Sequence, residues 1–219
     1  MLSIFILLVL LSAGSVFAAV YFDRRYEEAV PLTIFFSVEI VFLFGLIDHL
    51  RWGFYAMCCA CAVLYALSAR RVFKQRDLKR GLGTSLTPAC FIYILLLAVY
   101  AFCIVGRAAY RGDEFSFWAT SVKKMWYLDM FHCVPEAEPY FAEYPPGMQI
   151  FQYILQAIKG KFSEWRLSFA YMAFVFALFL PFLRGTRHRE FFRNLLILAV
   201  IFTCGTIIYS EALDNLQVD

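Results

Sequence analysis

The chain has 219 residues and a net charge of +3; 62% of it is apolar, with 25 Phe and 13 Tyr, and only 17% is charged. So few charged side chains cannot cover a soluble domain of this size, and lipid must be the outer solvent. The small net charge, with no compact basic patch interleaved with aromatics, excludes nucleic acid as a partner.

A membrane span needs roughly 20 apolar residues to cross about 30 Å of hydrocarbon. Six segments reach or approach this: 2–20, 31–50, 52–69, 88–106, 167–183 and 194–210. The expected fold is therefore all-α, a polytopic membrane protein of about six transmembrane helices. The first run could instead be a signal peptide, because Val16-Phe17-Ala18 has the small-residue character of a cleavage site. The lack of a basic leader and the loop parity below favour a span. Residues 31–69 as one helix would be nearly 60 Å long at 1.5 Å per residue, so a helical hairpin turning at Asp48, His49 and Arg51 is expected, flanked by Gly45 and Gly53.

Orientation follows from two short basic loops, since Lys and Arg are retained on the cytoplasmic side. Residues 70–80 carry Arg70, Arg71, Lys74, Arg76, Lys79 and Arg80, and residues 184–193 carry Arg184, Arg187, Arg189 and Arg193. Two spans and the segment 107–166 lie between them, so both loops can be inside only if that segment is outside. The same parity puts Asp23 to Glu28 inside, and the N-terminus and the turn at Asp48 outside. Three regions result: 1–106 with helices one to four, an external loop at 107–166, and 167–219 with helices five and six. Six of the seven Cys fall in apolar runs and only Cys133 lies in a polar loop, which argues against a disulfide framework.

The external segment carries two helical patterns. Phe115, Trp118, Val122 and Met125 recur at helical spacing, with Thr120, Lys123, Lys124 and Tyr127 on other faces. After Glu143-Tyr144-Pro145-Pro146-Gly147, one stripe holds Met148, Phe151, Leu155, Ile158 and Phe162, the other Gln149, Gln152, Gln156 and Lys159. Both read as amphipathic helices lying on the membrane surface, and the apolar stripe of the second is expected at the outer leaflet. Just outside the fourth span stands Arg107-Ala-Ala-Tyr-Arg111-Gly-Asp113-Glu114. Adjacent carboxylates, partly desolvated, have raised pKa values suited to a general base; the plainer reading is a solvated helix N-terminus, which also favours acids.

An acidic pair after a span, an interfacial helix, then Tyr144-Pro145-Pro146-Gly147 and a second interfacial helix resembles the first external loop of GT-C superfamily glycosyltransferases, which include the protein O-mannosyltransferases and lipid-linked-sugar transferases. The resemblance implies inverting transfer of a sugar from a polyprenyl-phosphate donor to an acceptor on the extracytoplasmic side of the cell envelope. It assigns Asp113, then Glu114, to catalysis, and turns Glu143 and Tyr144 toward the substrate. The departing phosphate needs a fixed cation, for which Arg107, Arg111, Lys123, Lys124 and Arg166 are candidates; His132 is a further phosphate or proton contact. No cofactor is required by the pattern, although Asp129, Glu136, Glu138, Glu211 and Asp214 keep a carboxylate-bound divalent ion open. The acidic pair follows the fourth span here rather than the first, and the chain stops after its sixth, so an N-terminal fragment is expected. The alternatives are a transporter or channel subunit using Glu39, the one acid well inside a span, or a non-catalytic scaffold.

Overall fold

The computed structural model describes residues 2–75, 86–109, 117–137 and 143–208. Among these there is no strand, and eight α-helices are found: α1 (Leu2–Phe22), α2 (Tyr26–Gly45), α3 (Leu50–Gln75), α4 (Pro88–Ile104), α5 (Ala119–Leu128), α6 (Gly147–Lys159), α7 (Trp165–Phe179) and α8 (Phe191–Ile208). Four helical stretches are long and apolar enough to cross a membrane, namely Leu2–Phe22, Tyr26–Gly45, Leu50–Lys74 and Trp165–Leu183. They mark the chain as a membrane protein. Pro88–Ile104 is a shorter apolar helix, and so is the Phe191–Val200 part of α8, so among the described residues four of the six expected spans meet the length requirement. The outside of the molecule is consistent with lipid as solvent: Phe36, Leu43, Val63, Phe73, Phe102 and Phe182 are all exposed.

Helices α1, α2 and α3 pack on one another as a three-helix unit, and α4 packs with α7. Helix α6 lies between these groups and touches α1, α2, α3, α5 and α7. The expected hairpin forms: α2 ends at Gly45, Asp48 takes a left-handed φ of 57° in the turn, and α3 begins at Leu50. Gly45 is required by packing, because a Cβ there would run into the Phe131 ring and the Leu50 side chain. Helix α2 begins five residues earlier than its apolar run suggested. Glu28 accepts the Arg25 backbone N–H at 3.2 Å, so acids that interrupt the apolar pattern cap the helix instead of delaying it.

The two ends of the bundle are chemically distinct. At one end Arg184 pairs with Glu28 at 3.0 Å, the Arg71 guanidinium lies 4.3 Å over the Tyr21 ring, and Thr87 donates to the buried Glu27 carboxylate at 2.7 Å. Residues bordering both basic loops thus gather with the α1–α2 turn. At the other end the α2–α3 turn meets the loop after α5. Asp129 ends α5 with φ 62°, its carboxylate accepts the Arg51 backbone N–H at 2.8 Å, and its carbonyl accepts from Leu50 at 3.1 Å. These are two of the first-turn donors of α3 that have no partner within their own helix. Tyr153 of α6 donates to the same carboxylate at 3.3 Å; burial, and then the Asp129 charge, push its phenol pKa up.

Asp129 therefore caps a helix 78 residues away in sequence. Its replacement by Ala is expected to cost about 1–2 kcal/mol, the usual worth of a lost helix cap. Asp129→Asn keeps the acceptor oxygen and should retain most of that stability. Thermal unfolding in detergent, wild type against both variants, measures the difference; equal losses would show that charge toward Arg51, not capping, is what matters.

Candidate functional site

Asp113, Glu114 and Arg111 lie outside the described residues, as does Phe115 of the first stripe. The neighbours on either side are described. Leading in, Arg107 is exposed and the Ala109 backbone N–H donates to the Glu164 carboxylate at 2.9 Å. Leading out, Phe117 and Trp118 are buried and hold the Tyr144 ring at centroid distances of 5.3 and 5.5 Å. Glu164 stands two residues before Arg166. The chain on one side of the acidic pair thus touches the α6–α7 loop, and on the other it touches the Tyr-Pro-Pro turn.

Helix α5 turns Val122 and Met125 inward and leaves Lys123 and Tyr127 exposed, as its pattern implied. Lys124 donates to the Ala137 carbonyl at 2.6 Å. Of the expected substrate contacts in this region, Glu143 is exposed and Tyr144 partly so. The Pro145-Pro146 pair supplies the residue before α6, since Pro suits the start of a helix but not its interior.

His132 differs from a solvated loop histidine. Its ring is 1% exposed, meets Phe117 edge-on at 5.9 Å, and neither ring nitrogen has a hydrogen-bond partner among the described residues. Burial, and then the Lys124 charge, push its pKa down from 6.5 to about 4, so at neutral pH it is an uncharged imidazole and not a cation for phosphate. An unfolded chain binds this proton below about pH 6.5, while the folded ring stays neutral until about pH 4. The contribution is therefore complete above pH 6.5 and is lost as pH falls toward 4, at no more than about 1.4 kcal/mol per pH unit. Melting temperature followed from pH 7 to 4 should fall less steeply in His132→Leu than in the wild type; parallel slopes would assign the acid sensitivity to other groups.

Helix α6 departs most from expectation. Gln149, Gln152 and Gln156 are buried, and so are Phe151 and Leu155 of the opposite stripe. The three glutamines face protein instead of water, with Lys159 alone of that stripe exposed: Gln152 donates to the Leu167 carbonyl at 3.2 Å, while Gln156 accepts from the Ser163 N–H at 3.0 Å and donates to its carbonyl at 2.9 Å. Phe151 packs against Phe174 of α7 at 6.2 Å, so the expected outer-leaflet face is internal there, with Met148, Ile158 and Phe162 only partly covered.

Arg166, in the first turn of α7, is fully buried. One amino group donates to the Gln156 side-chain oxygen at 3.3 Å and to the Lys161 carbonyl at 2.5 Å. The guanidinium lies 5.4 Å from the Trp165 ring centroid. Its Nε and second amino group are buried with no hydrogen-bond partner among the described residues. A cation removed from water and left half-satisfied is costly, and the geometry of its free edge suits a bidentate oxyanion. Periodicity offered no sign of this, because Arg166 sits where an apolar span begins.

Among the described residues no three His, Cys, Asp or Glu side chains come together. Asp129 is committed to the α3 cap, and Glu138, Glu211 and Asp214 lie outside the described residues. Glu39 is exposed on the outer face of α2, a position that lines no passage within the described bundle. No protein-family model matches this chain, and neither a curated protein nor a solved structure matches it significantly.

Proposed function

We propose that the chain is a GT-C-type membrane glycosyltransferase that moves a sugar from a polyprenyl-phosphate donor to an acceptor hydroxyl on the extracytoplasmic side. In this reading all six apolar helices cross the membrane, both basic loops are inside, and residues 107–166 are outside. The acceptor oxygen attacks the anomeric carbon, Asp113 takes its proton, and the bond from that carbon to the phosphate oxygen breaks on the opposite face, inverting the centre. Glu114 is the second carboxylate. The phosphate departs already anionic, so it needs a fixed cation more than a proton donor, and Arg166 fills that role. No step is routed through a metal ion.

The observation that carries the reading is the buried Arg166 edge with two unsatisfied groups, at the start of the helix whose preceding residue Glu164 is bonded to the chain leading into the acidic pair. A scaffold has no need of such a cation. The test is transfer of labelled sugar from a polyprenyl-phosphate donor by the full-length protein in proteoliposomes, wild type beside Asp113→Asn. Donor turnover that Asp113→Asn abolishes supports the proposal; no turnover with a panel of such donors, or turnover indifferent to the substitution, overturns it.

A further inference from the structure

A cavity of about 840 Å³ opens between α1, α2 and α3, at the end of the bundle where Glu28 meets Arg184. Its wall is almost wholly apolar, with Phe17, Leu32, Phe36, Ile40, Val63 and Leu64 along it. Arg24 and Glu28 stand at one end. We propose that this groove is a binding site for an anionic phospholipid, with an acyl chain between α2 and α3 and the phosphate at Arg24.

Three observations lead to one occupant. The first is depth. The lining on α2 runs from Glu28 to Ile40, about 18 Å at 1.5 Å per residue, which matches one leaflet of a hydrocarbon core about 30 Å thick. A free anion would use only the mouth, and a soluble metabolite would leave an apolar wall of this length unfilled. The volume lies within the roughly 300–1,000 Å³ of ligand pockets.

The second is the charge of the mouth. Glu28 is shared by Arg24 at 3.8 Å and Arg184 at 3.0 Å, so two guanidiniums converge on one carboxylate. Arg71 lies over Tyr21, whose ring stacks on the groove residue Phe17 at 4.5 Å. Both Arg24 and Arg184 remain largely exposed, and their charge exceeds that of the acid between them. This balance selects a negative headgroup over a zwitterionic one, at about fivefold per basic side chain near a membrane surface.

The third is that contacts within the three-helix unit set the width of the groove, Gly14 and Thr33 being part of its lining. Gly14 lets α1 approach α2 so closely that a Cβ would collide with Thr33, and Tyr65 of α3 donates to the Val9 carbonyl at 2.6 Å. The α1–α2 contact at Gly14 and Thr33 closes one side of the groove, and the Tyr65 hydrogen bond ties α3 to α1.

The test uses the full-length protein in nanodiscs and a phosphatidylglycerol bearing a diazirine in its acyl chain. Crosslinks are expected at Leu32, Phe36 and Val63, displaced by unlabelled phosphatidylglycerol at least about fivefold better than by phosphatidylcholine, and not by inorganic phosphate. In Ala60→Trp, which fills the wall, the groove crosslinks should disappear while background labelling of Phe102 persists. In Arg24→Ala the preference for phosphatidylglycerol should fall about fivefold with the crosslink positions unchanged. Labelling of Phe102 and Phe36 to the same extent in the wild type, competition by phosphate alone, or protection of the groove by self-association in the absence of lipid would each overturn the proposal. Because the wild-type map needs no substitution, a misfolded variant does not blunt the test.

Discussion

Asp113→Asn is expected to slow sugar transfer by about 10²–10⁴-fold, the range lost with a positioned general base, while leaving the melting temperature of the protein unchanged. Asparagine has the shape of aspartate and still accepts a hydrogen bond, so it can orient the acceptor hydroxyl, but it cannot take the proton as the new bond forms. The comparison that gives this result meaning is Glu114→Gln, for which a smaller loss is expected, because two adjacent carboxylates cannot both face one hydroxyl. Single-turnover transfer with a saturating polyprenyl-phosphate donor isolates the chemical step from donor binding. A large loss in Glu114→Gln with near-normal turnover in Asp113→Asn would exchange the two roles. Near-normal turnover in both would leave the pair as helix-terminal acids and remove the basis for the proposed reaction.

The spans were legible because a lipid solvent imposes a simple rule on composition, and the helices from Leu2 to Gln75 follow it. The turn at Asp48 was legible too, since no single helix of that length fits a bilayer. Arg71, Glu28 and Arg184 gather at one end of the bundle, together with the α1–α2 turn. What periodicity could not supply was the medium facing each stripe. The spacing of Gln149, Gln152 and Gln156 correctly marks one side of a helix, but an amide is equally well satisfied by water or by the carbonyls of Leu167 and Ser163. Only the path of the chain after Gly160 decides between them.

Asp129 shows the same limit in another form. Its sequence neighbours give no hint that it caps α3, because the N–H groups it accepts belong to Leu50 and Arg51, far away along the chain. His132 was equally opaque: a lone histidine in a polar loop is ordinarily solvated, and here its ring is buried with Phe117 edge-on against it. Local pattern reports the propensity of a segment, whereas burial of single polar groups is set by contacts across the chain. The candidate site consists mostly of such groups, so less of it than of the fold could be read in advance.

Arg166→Met is expected to separate stability from donor binding. Methionine fills much of the same volume without a charge, and replacing an incompletely paired buried ion by an apolar side chain is often neutral or stabilising by about 1–4 kcal/mol. Among the described residues the guanidinium gives up its hydrogen bonds to Gln156 and Lys161 and its contact with the Trp165 ring, while the burial of two unsatisfied groups is relieved. The melting temperature should therefore hold or rise. If the free edge of Arg166 receives the donor phosphate, the same substitution removes a buried charged contact worth about 2–5 kcal/mol, at least roughly thirtyfold in affinity for the polyprenyl-phosphate donor. Arg166→Lys keeps the charge but loses the two-pronged edge, so it should recover part of the affinity and not all of it. Calorimetric unfolding and inhibition by unglycosylated polyprenyl phosphate measure the two quantities independently. A lower melting temperature in Arg166→Met with unchanged inhibition would make this arginine a structural tie between α6 and α7. A held melting temperature with weakened inhibition would identify it as the phosphate cation.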